Sequence, residues 1–324
     1  MTPLAQYTTL GLGGEAQVHE ASSQAQLVGL LREYPNARVL GGGSNIVVGD
    51  AGVDEPVVRI TAQGVLRHGD QFVVSAGTVW DDFVAEMVAA GRFGIEALSG
   101  IPGSVGATPI QNVGAYGQEV SETIAGMRVL IRETGEITTW PATRAAFGYR
   151  SSVFKNAPDD YVVLAVAFDL PEGHSAPIKY AELARRLGVE VGTRVPLAAV
   201  RDAVLELRRG KGMVLDPADP DTRSAGSFFT NPFVDQVPDG APGWPQPDGR
   251  VKTSAAWLID HAGVHKGFAL GPGAAVSSKH TLALTNRGGT TADLLELARY
   301  IRGRVLEAFG IELHAEPVMW GCSL

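Results

Sequence analysis

The sequence predicts a chain of mixed helices and strands arranged in two or three folding units, and three observations carry that reading. At 324 residues the chain exceeds one comfortable hydrophobic core, because single cores stop growing beyond about 250–300 residues. Short strand-like runs alternate with amphipathic helical stretches along much of its length. Its 40 glycines stand well above the usual share of about 7%, so many backbone positions need a residue without a side chain.

Taken in order, Ser22 or Ser23 can cap a first helix whose apolar stripe is Leu27, Leu30, Leu31 and Tyr34, and Pro35 then stops it. The strand Arg38–Leu40 follows and runs straight into Gly41-Gly42-Gly43-Ser44-Asn45. Val57–Ile60 and residues 72–76 read as strands, the second emptying into Gly77. Trp80, Phe83, Val84 and Met87 mark another amphipathic helix, closed by Gly91. Residues 94–117 carry little periodicity and many glycines. A hairpin is expected over residues 127–140 around Thr134-Gly135-Glu136, and a buried strand over residues 161–170. Strands therefore dominate this middle region.

Pro196 suits a first helical turn, and Leu197, Val200, Val204 and Leu207 extend that helix to near Gly210, where a different unit begins. Residues 238–249, rich in proline and glycine, form an ordered or closing loop rather than a core element. A long final helix turns Leu294, Leu297, Ile301 and Val305 inward and stops at Gly310, before a strand-like stretch over residues 311–320. There is no internal repeat or low-complexity segment.

The formal charge of -8 and the absence of a basic face or tail argue against a nucleic-acid partner or an anionic membrane surface. Any phosphate site must be local. Cys322 is the only cysteine, which rules out an intrachain disulfide and a multi-cysteine metal site and fits a reducing compartment. Residues 1–14 lack a basic segment followed by an apolar one, and no run approaches the roughly 18 apolar residues of a membrane span. A cytoplasmic protein with no bound metal is expected.

Successive backbone N–H groups can hold a pyrophosphate, and they approach its oxygens closely only where side chains are absent. Gly41-Gly42-Gly43-Ser44-Asn45 has that composition. A second loop, running from Ile101-Pro102-Gly103-Ser104-Val105-Gly106-Ala107-Thr108 through Pro109-Ile110-Gln111-Asn112-Val113-Gly114-Ala115-Tyr116-Gly117, adds hydroxyls and amides. Either loop alone reads as glycine punctuating turns; as a pair they can clamp a dinucleotide from opposite sides. Gly11-Leu12-Gly13-Gly14-Glu15-Ala16 matches the dinucleotide pattern G-x-G-x-x-A, but no amphipathic helix follows it, so it reads as a turn.

Gly41 to Ile46 and the nearly unbroken stretch from Ile101 to Gly117 resemble the FAD loops of the UDP-N-acetylenolpyruvoylglucosamine reductase family, and the resemblance extends over essentially the whole chain. It implies an α+β protein: a two-subdomain FAD-binding fold of the PCMH/vanillyl-alcohol-oxidase type plus a C-terminal α+β substrate-binding domain. The implied parts are residues 1–62, joined by the tail 317–324, then 63–200, and the substrate domain 201–316. FAD contacts would come from Gly41, Gly42, Gly43, Ser44, Asn45, Ile46, Gly77, Pro102, Gly103, Ser104, Gly106, Ala107, Thr108, Ile110, Val113 and Gly114. Neither loop holds a histidine or cysteine, so the FAD is expected to be noncovalent.

Three further segments match the family at its reactive positions: Gly148-Tyr149-Arg150-Ser151-Ser152-Val153-Phe154-Lys155, Ala225-Gly226-Ser227-Phe228-Phe229-Thr230-Asn231-Pro232, and Leu313-His314-Ala315-Glu316-Pro317-Val318. The resemblance makes Arg150, Ser227 and Glu316 the catalytic residues. Hydride delivery to the vinyl C3 of an enolpyruvyl ether leaves negative charge over C2 and its carboxylate. Arg150 would meet that charge, Glu316 would share or donate a proton, and Ser227 would protonate C2. Taken singly, the three read as a surface ion-pair former, a turn hydroxyl and an exposed strand-end charge; three matching segments far apart in the chain favour the catalytic reading.

The substrate side would draw on Gln111, Asn112, Tyr116, Tyr180, Arg208, Lys211, Asn231, Trp244, Lys266 and His280, the last reading equally as a core histidine. Tyr180 and the loop containing Trp244 resemble the subtype with a substrate-closing loop, in which the best-known members carry a tyrosine where this chain has Trp244. The resemblance further implies NADPH as co-substrate using one site in turn with UDP-N-acetylenolpyruvoylglucosamine, in a monomer. The alternatives are an oxidase of the same flavin fold and a UDP-sugar binding protein.

Overall fold

A computed structural model describes all 324 residues and divides them into two compact units. One comprises Gln17–Gly42 and Glu55–Arg209, the other Met1–Ala16, Gly43–Asp54 and Gly210–Leu324. The α+β expectation holds: helices and mostly antiparallel strands occur in both. No helix is long and apolar enough to cross a membrane.

In the Gln17–Gly42/Glu55–Arg209 unit, the strands Val18–Ala21, Val57–Ile60 and Arg38–Leu40 form a three-stranded parallel sheet with Val57–Ile60 in the centre. Helix Gln24–Glu33 makes the crossover between the two outer strands, Val18–Ala21 and Arg38–Leu40, because parallel strands cannot be joined by a tight turn. Ser23 caps it by accepting the Gln26 N–H, as the sequence suggested for this position. Leu27 and Leu31 pack with Ala21, Val58 and Ile60.

The same unit holds a five-stranded antiparallel sheet in the order Ile137–Pro141, Ile124–Ile131, Tyr161–Asp169, Gln71–Ser75 and Val65–His68. The central strand Tyr161–Asp169 buries Val163, Val166 and Phe168 in one core cluster and Val162 and Leu164 in the other. Burial on both faces explains its continuous apolar run. Helix Trp80–Ala89 covers the first face with Trp80, Phe83, Val84 and Met87, all fully buried. The Trp80 indole N–H is satisfied by the Leu98 carbonyl at 3.1 Å.

The other unit is built on a three-stranded antiparallel sheet of Ser224–Ser227, Ala283–Asn286 and Ala274–Val276, against which the long helix Thr291–Phe309 packs Leu294, Leu297, Ile301 and Val305. Thr290 and Asp293 form a capping box at its start, and Gly310 ends it in left-handed backbone. Asp50 adds a second carboxylate there, accepting the N–H groups of Thr291 and Ala292 at 2.8 and 2.9 Å, where orphan donors and the helix dipole favour negative charge.

Two expectations change. The stretch over residues 311–320 is a strand only at Val318–Trp320, which pairs in parallel with Ile46–Val48; its earlier part contributes the single bridge Ala315–Phe229. The loop over residues 238–249 contains an exposed strand, Gly243–Pro245, paired with Val251–Thr253. As expected, it contributes nothing to the core. After Gly11-Leu12-Gly13-Gly14 come the strands Glu15–Ala16 and Val18–Ala21, not a helix, in keeping with its reading as a turn.

Candidate functional site

In the Gln17–Gly42/Glu55–Arg209 unit the two glycine-rich loops meet backbone to backbone. A Cβ on Gly42 would lie 2.6 Å from Gly103 Cα, and one on Gly41 2.6 Å from Ser104 Oγ. Gly106 is equally confined, its missing Cβ falling 2.5 Å from Ala76 Cβ while its N–H donates to the Ala76 carbonyl at 2.8 Å. Gly77 packs on Ala62, with 2.6 Å from the missing Cβ to the Ala62 carbonyl oxygen. Packing therefore demands glycine at Gly77 and Gly106 and, where the two loops meet, at Gly42, whereas at Gly41 only the Ser104 hydroxyl would have to turn aside. At these residues the loops touch rather than face each other across a gap.

Farther along the second loop, Thr108 turns its hydroxyl onto the Val105 carbonyl at 2.8 Å, and Ile110 and Val113 pack on the core beneath the five-stranded sheet. Gln111, Pro102, Gly103 and Gly114 are half-buried, and Ala107 is exposed. Gly103 takes φ +123, a conformation that side chains disfavour. Residues 41–46 and 101–117 hold no acidic side chain. The small residues and backbone N–H groups of each stretch, with no acidic side chain among them, fit the diphosphate of FAD.

Arg150 stands beside this loop. Its Nη2 donates to the Gly114 carbonyl at 3.0 Å, and the Ser152 hydroxyl donates to the Ile110 carbonyl at 2.5 Å. Ser152 also caps the short helix Val153–Asn156 by accepting the Lys155 N–H. Asn112 is 1% exposed and reaches Glu119 and the Gly148 carbonyl. Tyr116 packs edge-on against Tyr180 with ring centroids 5.8 Å apart, and Tyr180 is itself 47% exposed.

Arg208 lies buried near the end of helix Leu197–Gly210. Burial pulls its pKa down to about 10 against the opposing charges of Tyr116 and Asp81, so the guanidinium stays cationic at neutral pH. Burial pushes the Tyr116 phenol up to about 12, although the Arg208 charge opposes the shift. Asp81 accepts a two-pronged contact from Arg201 at 2.6 and 2.9 Å and the Gly100 N–H at 2.6 Å. Burial works against that carboxylate, but the Arg201 fork, the Gly100 N–H and the charges of Arg201 and Arg208 outweigh it and hold its pKa below the ordinary value.

In the other unit, Ser227 ends the strand Ser224–Ser227 just after a bulge. Ser224 pairs with Thr285 and Ser227 with Ala283, so three steps on one strand match two on its neighbour. The extra residue is accommodated by Gly226 at φ +74, and such bulges re-aim the side chain that follows. The Glu316 N–H donates to the Phe228 carbonyl at 2.9 Å, and the Thr230 N–H to the His314 carbonyl at 3.0 Å. The segments carrying Ser227 and Glu316 thus run side by side.

Asn45 joins them there. Its Nδ2 contacts the Glu316 carbonyl at 3.5 Å, and its own carbonyl accepts the Val318 N–H at 3.0 Å. Gly43 is buried at φ +62, its missing Cβ only 1.7 Å from the Tyr7 carbonyl oxygen. Ile46 is buried in its parallel strand, and Ser44 is half-buried.

Asn231 uses its Oδ1 to accept the Ala255 N–H at 3.0 Å, at the start of helix Ala255–His261. Trp244 is 46% exposed and faces Lys252 across the strand pair, with Nζ 6.0 Å from the ring centroid. Lys211 and His280 are half-buried and Lys266 is exposed; the His280 N–H donates to Ser277 Oγ at 3.2 Å. Sequence reasoning missed Glu119, Ser152 and Lys155 as parts of the Arg150 surroundings. Ser152 and Lys155 lie in the quoted motif, and a serine ahead of a helical turn is a recognisable cap; no local pattern marks Glu119.

Residues 217–320 match the family described as UDP-N-acetylenolpyruvoylglucosamine reductase, C-terminal domain, and residues 16–140 match the FAD binding domain family. The chain is 52% identical over 345 residues to the UDP-N-acetylenolpyruvoylglucosamine reductase of Streptomyces avermitilis, covering 99% of this chain and 94% of that one. It is 52% identical over 349 residues to that of Thermobifida fusca, covering 99% and 98%. Among solved structures it is similar to the UDP-N-acetylenolpyruvylglucosamine reductase from Thermus caldophilus, with TM-score 0.70 and 28% identity over 98% of this chain and 97% of that one.

Proposed function

Because the chain belongs to the UDP-N-acetylenolpyruvoylglucosamine reductase family and is an FAD-binding oxidoreductase, we propose that it makes UDP-N-acetylmuramate for peptidoglycan synthesis. The substrate is UDP-N-acetylenolpyruvoylglucosamine, NADPH is the co-substrate, and FAD is held noncovalently in a cytoplasmic monomer. Residues 1–62 with the tail 317–324, and residues 63–200, serve the cofactor; residues 201–316 serve the substrate. When bound, FAD supplies the hydride that reaches the vinyl carbon C3, having taken it from NADPH.

The glycine-rich loops hold the flavin nucleotide through backbone N–H groups, with Asn45 and Ser44 adding side-chain partners. Arg150 presents its cationic fork to the substrate carboxylate, where charge accumulates as C3 accepts the hydride. Glu316 binds the same oxygens, sharing a proton with them. Ser227 donates its proton to C2 and is reprotonated from water, while Lys211 stabilises the transient alkoxide or a substrate phosphate. Arg208, Tyr116, Tyr180, Gln111, Asn231, Lys266 and His280 address the diphosphate and uridine, and Trp244 closes over them from its exposed strand.

The observation that supports this reading most is the backbone bond from Glu316 to Phe228, beside the bulge at Gly226, which sets the two proposed proton-handling residues on adjacent segments. The test separates the two half-reactions. Ser227→Ala should leave NADPH-dependent bleaching of the flavin within about twofold and slow its substrate-dependent return by about a hundredfold or more, the usual worth of a general acid. Equal loss in both halves removes Ser227 from the proton-donor role.

A further inference from the structure

Four non-glycine residues adopt left-handed backbone: Asn112, Tyr116, Ala146 and Arg150, with φ of 47, 49, 48 and 51°. Three of them are candidate site residues. Arg150 is the least expected, because it occupies the second corner of a tight turn. The Gly148 N–H donates to the Ser151 carbonyl at 3.0 Å, and the Ser151 N–H to the Gly148 carbonyl at 3.2 Å. A positive φ at that corner is ordinarily supplied by glycine or asparagine. A long cationic side chain there persists only where the surroundings over-determine the backbone.

The surroundings do so from two sides. The Asn112 Nδ2 donates to the turn-closing Gly148 carbonyl at 3.2 Å and to Glu119 Oε2 at 2.7 Å, and its Oδ1 accepts the Ser121 N–H at 3.2 Å. Both amide hydrogens face acceptors and the amide oxygen faces a donor, so a flipped amide would fail at all three. At 1% exposure with both hydrogens committed, Asn112 has no donor left for a substrate. On the other side of the turn, the Lys155 ammonium donates to the Arg150 carbonyl at 3.0 Å. The Arg150 guanidinium then rests on the Gly114 carbonyl, in the same loop as Asn112.

We propose that Asn112 and Lys155 are positioning residues that hold the Gly148–Ser151 turn in its left-handed form and so pre-aim Arg150, and that Asn112 does not contact the substrate as its sequence position implies. The proposal rests on the reading of Arg150 as the cationic partner of the substrate carboxylate.

The test uses the FAD-loaded protein, reduced anaerobically with NADPH and then mixed with UDP-N-acetylenolpyruvoylglucosamine, with the rate of flavin reoxidation as the readout. Asn112→Gly keeps the left-handed backbone without strain while removing the side chain. It should slow reoxidation by about 10- to 100-fold, the scale of a misplacement near 1 Å, and leave NADPH-dependent reduction within about twofold. Combined with Arg150→Ala it should add nothing beyond about twofold, since residues acting as a unit are not additive. Lys155→Met, which leaves the Asn112 loop untouched, should show the same coupling and carries the test if Asn112→Gly does not fold.

A loss for Asn112→Gly that appears as a higher KM at unchanged kcat overturns the proposal in favour of direct substrate contact. A loss that multiplies with Arg150→Ala overturns it as well, as does a native rate. If Arg150→Ala alone reoxidises at the native rate, the underlying reading of Arg150 falls. If only Asn112→Gly and Lys155→Met do so, the positioning role alone falls.

Discussion

Gly226 offers a substitution whose cost can be worked out before it is made. Its φ is +74, and a Cβ built there meets no atom within 4 Å, so alanine suffers from backbone conformation alone. Left-handed backbone costs an L-residue about 1–2 kcal/mol, and replacing glycine by alanine returns about 0.4–1 kcal/mol by restricting the unfolded chain. Gly226→Ala should therefore destabilise the protein by about 1 kcal/mol if the bulge holds. If the bulge instead relaxes, Ser227 leaves its register opposite Ala283. Stability is then largely kept, but proton delivery falls by about 10- to 100-fold.

Urea unfolding and stopped-flow flavin reoxidation together distinguish these outcomes. Gly226→Asn is the control, because asparagine tolerates left-handed backbone better than alanine; it should fall between the native protein and Gly226→Ala in both measurements. Native stability together with a native reoxidation rate in Gly226→Ala would refute the idea that the bulge needs glycine to aim Ser227.

Other predictions bear on the cofactor loops and the charged interior. Gly42→Ala drives a Cβ to 2.6 Å from Gly103 Cα, where backbone must move; FAD fluorescence titration of apoprotein should show binding weakened by about tenfold or more, which corresponds to a loss of about 1.4 kcal/mol or more. Asp81→Asn breaks the fork to Arg201 and removes the counter-charge near Arg208, costing about 2 kcal/mol at neutral pH. Because the folded state holds the Asp81 pKa below its ordinary value of 3.8, its contribution is full above that value and is lost as pH falls through the lowered one. The gap between native and Asp81→Asn unfolding midpoints should narrow below about pH 4. Asp50→Asn should cost about 1 kcal/mol in the same assay by weakening the charge at the start of helix Thr291–Phe309.

The elements with strong periodicity were legible in the sequence. Trp80, Phe83, Val84 and Met87 are all fully buried on one helix face, because apolar residues recurring at a period near 3.6 fall on one side of a helix and nowhere else in regular structure. The strand Tyr161–Asp169 was readable because burial on both faces leaves an apolar run. Residues 311–317 misled for the converse reason. Ile311, Leu313 and Ala315 alternate like a strand, but only Ala315 finds a bridge partner, and a ladder requires a neighbour that local pattern cannot supply. Ile46–Val48 was missed because it is short and its partner, Val318–Trp320, lies at the other end of the chain.

The same contrast runs through the candidate site. Its glycines were visible, but they were read as making room for a ligand, whereas Gly42 and Gly106 are also required where protein meets protein. Asn112 was visible as an amide in a glycine-rich loop. That both of its hydrogens are committed to Glu119 and Gly148 depends on a second loop, and no spacing in the sequence encodes that.

The most direct test of the proposed function is an anaerobic absorbance trace of the purified, FAD-loaded protein. NADPH should bleach the band near roughly 450 nm expected of an oxidised flavin. Adding UDP-N-acetylenolpyruvoylglucosamine without oxygen should then restore the band, with one UDP-N-acetylmuramate formed per flavin. A reduced flavin that ignores this compound and recovers only when air is admitted would contradict the proposal and point to an oxidase.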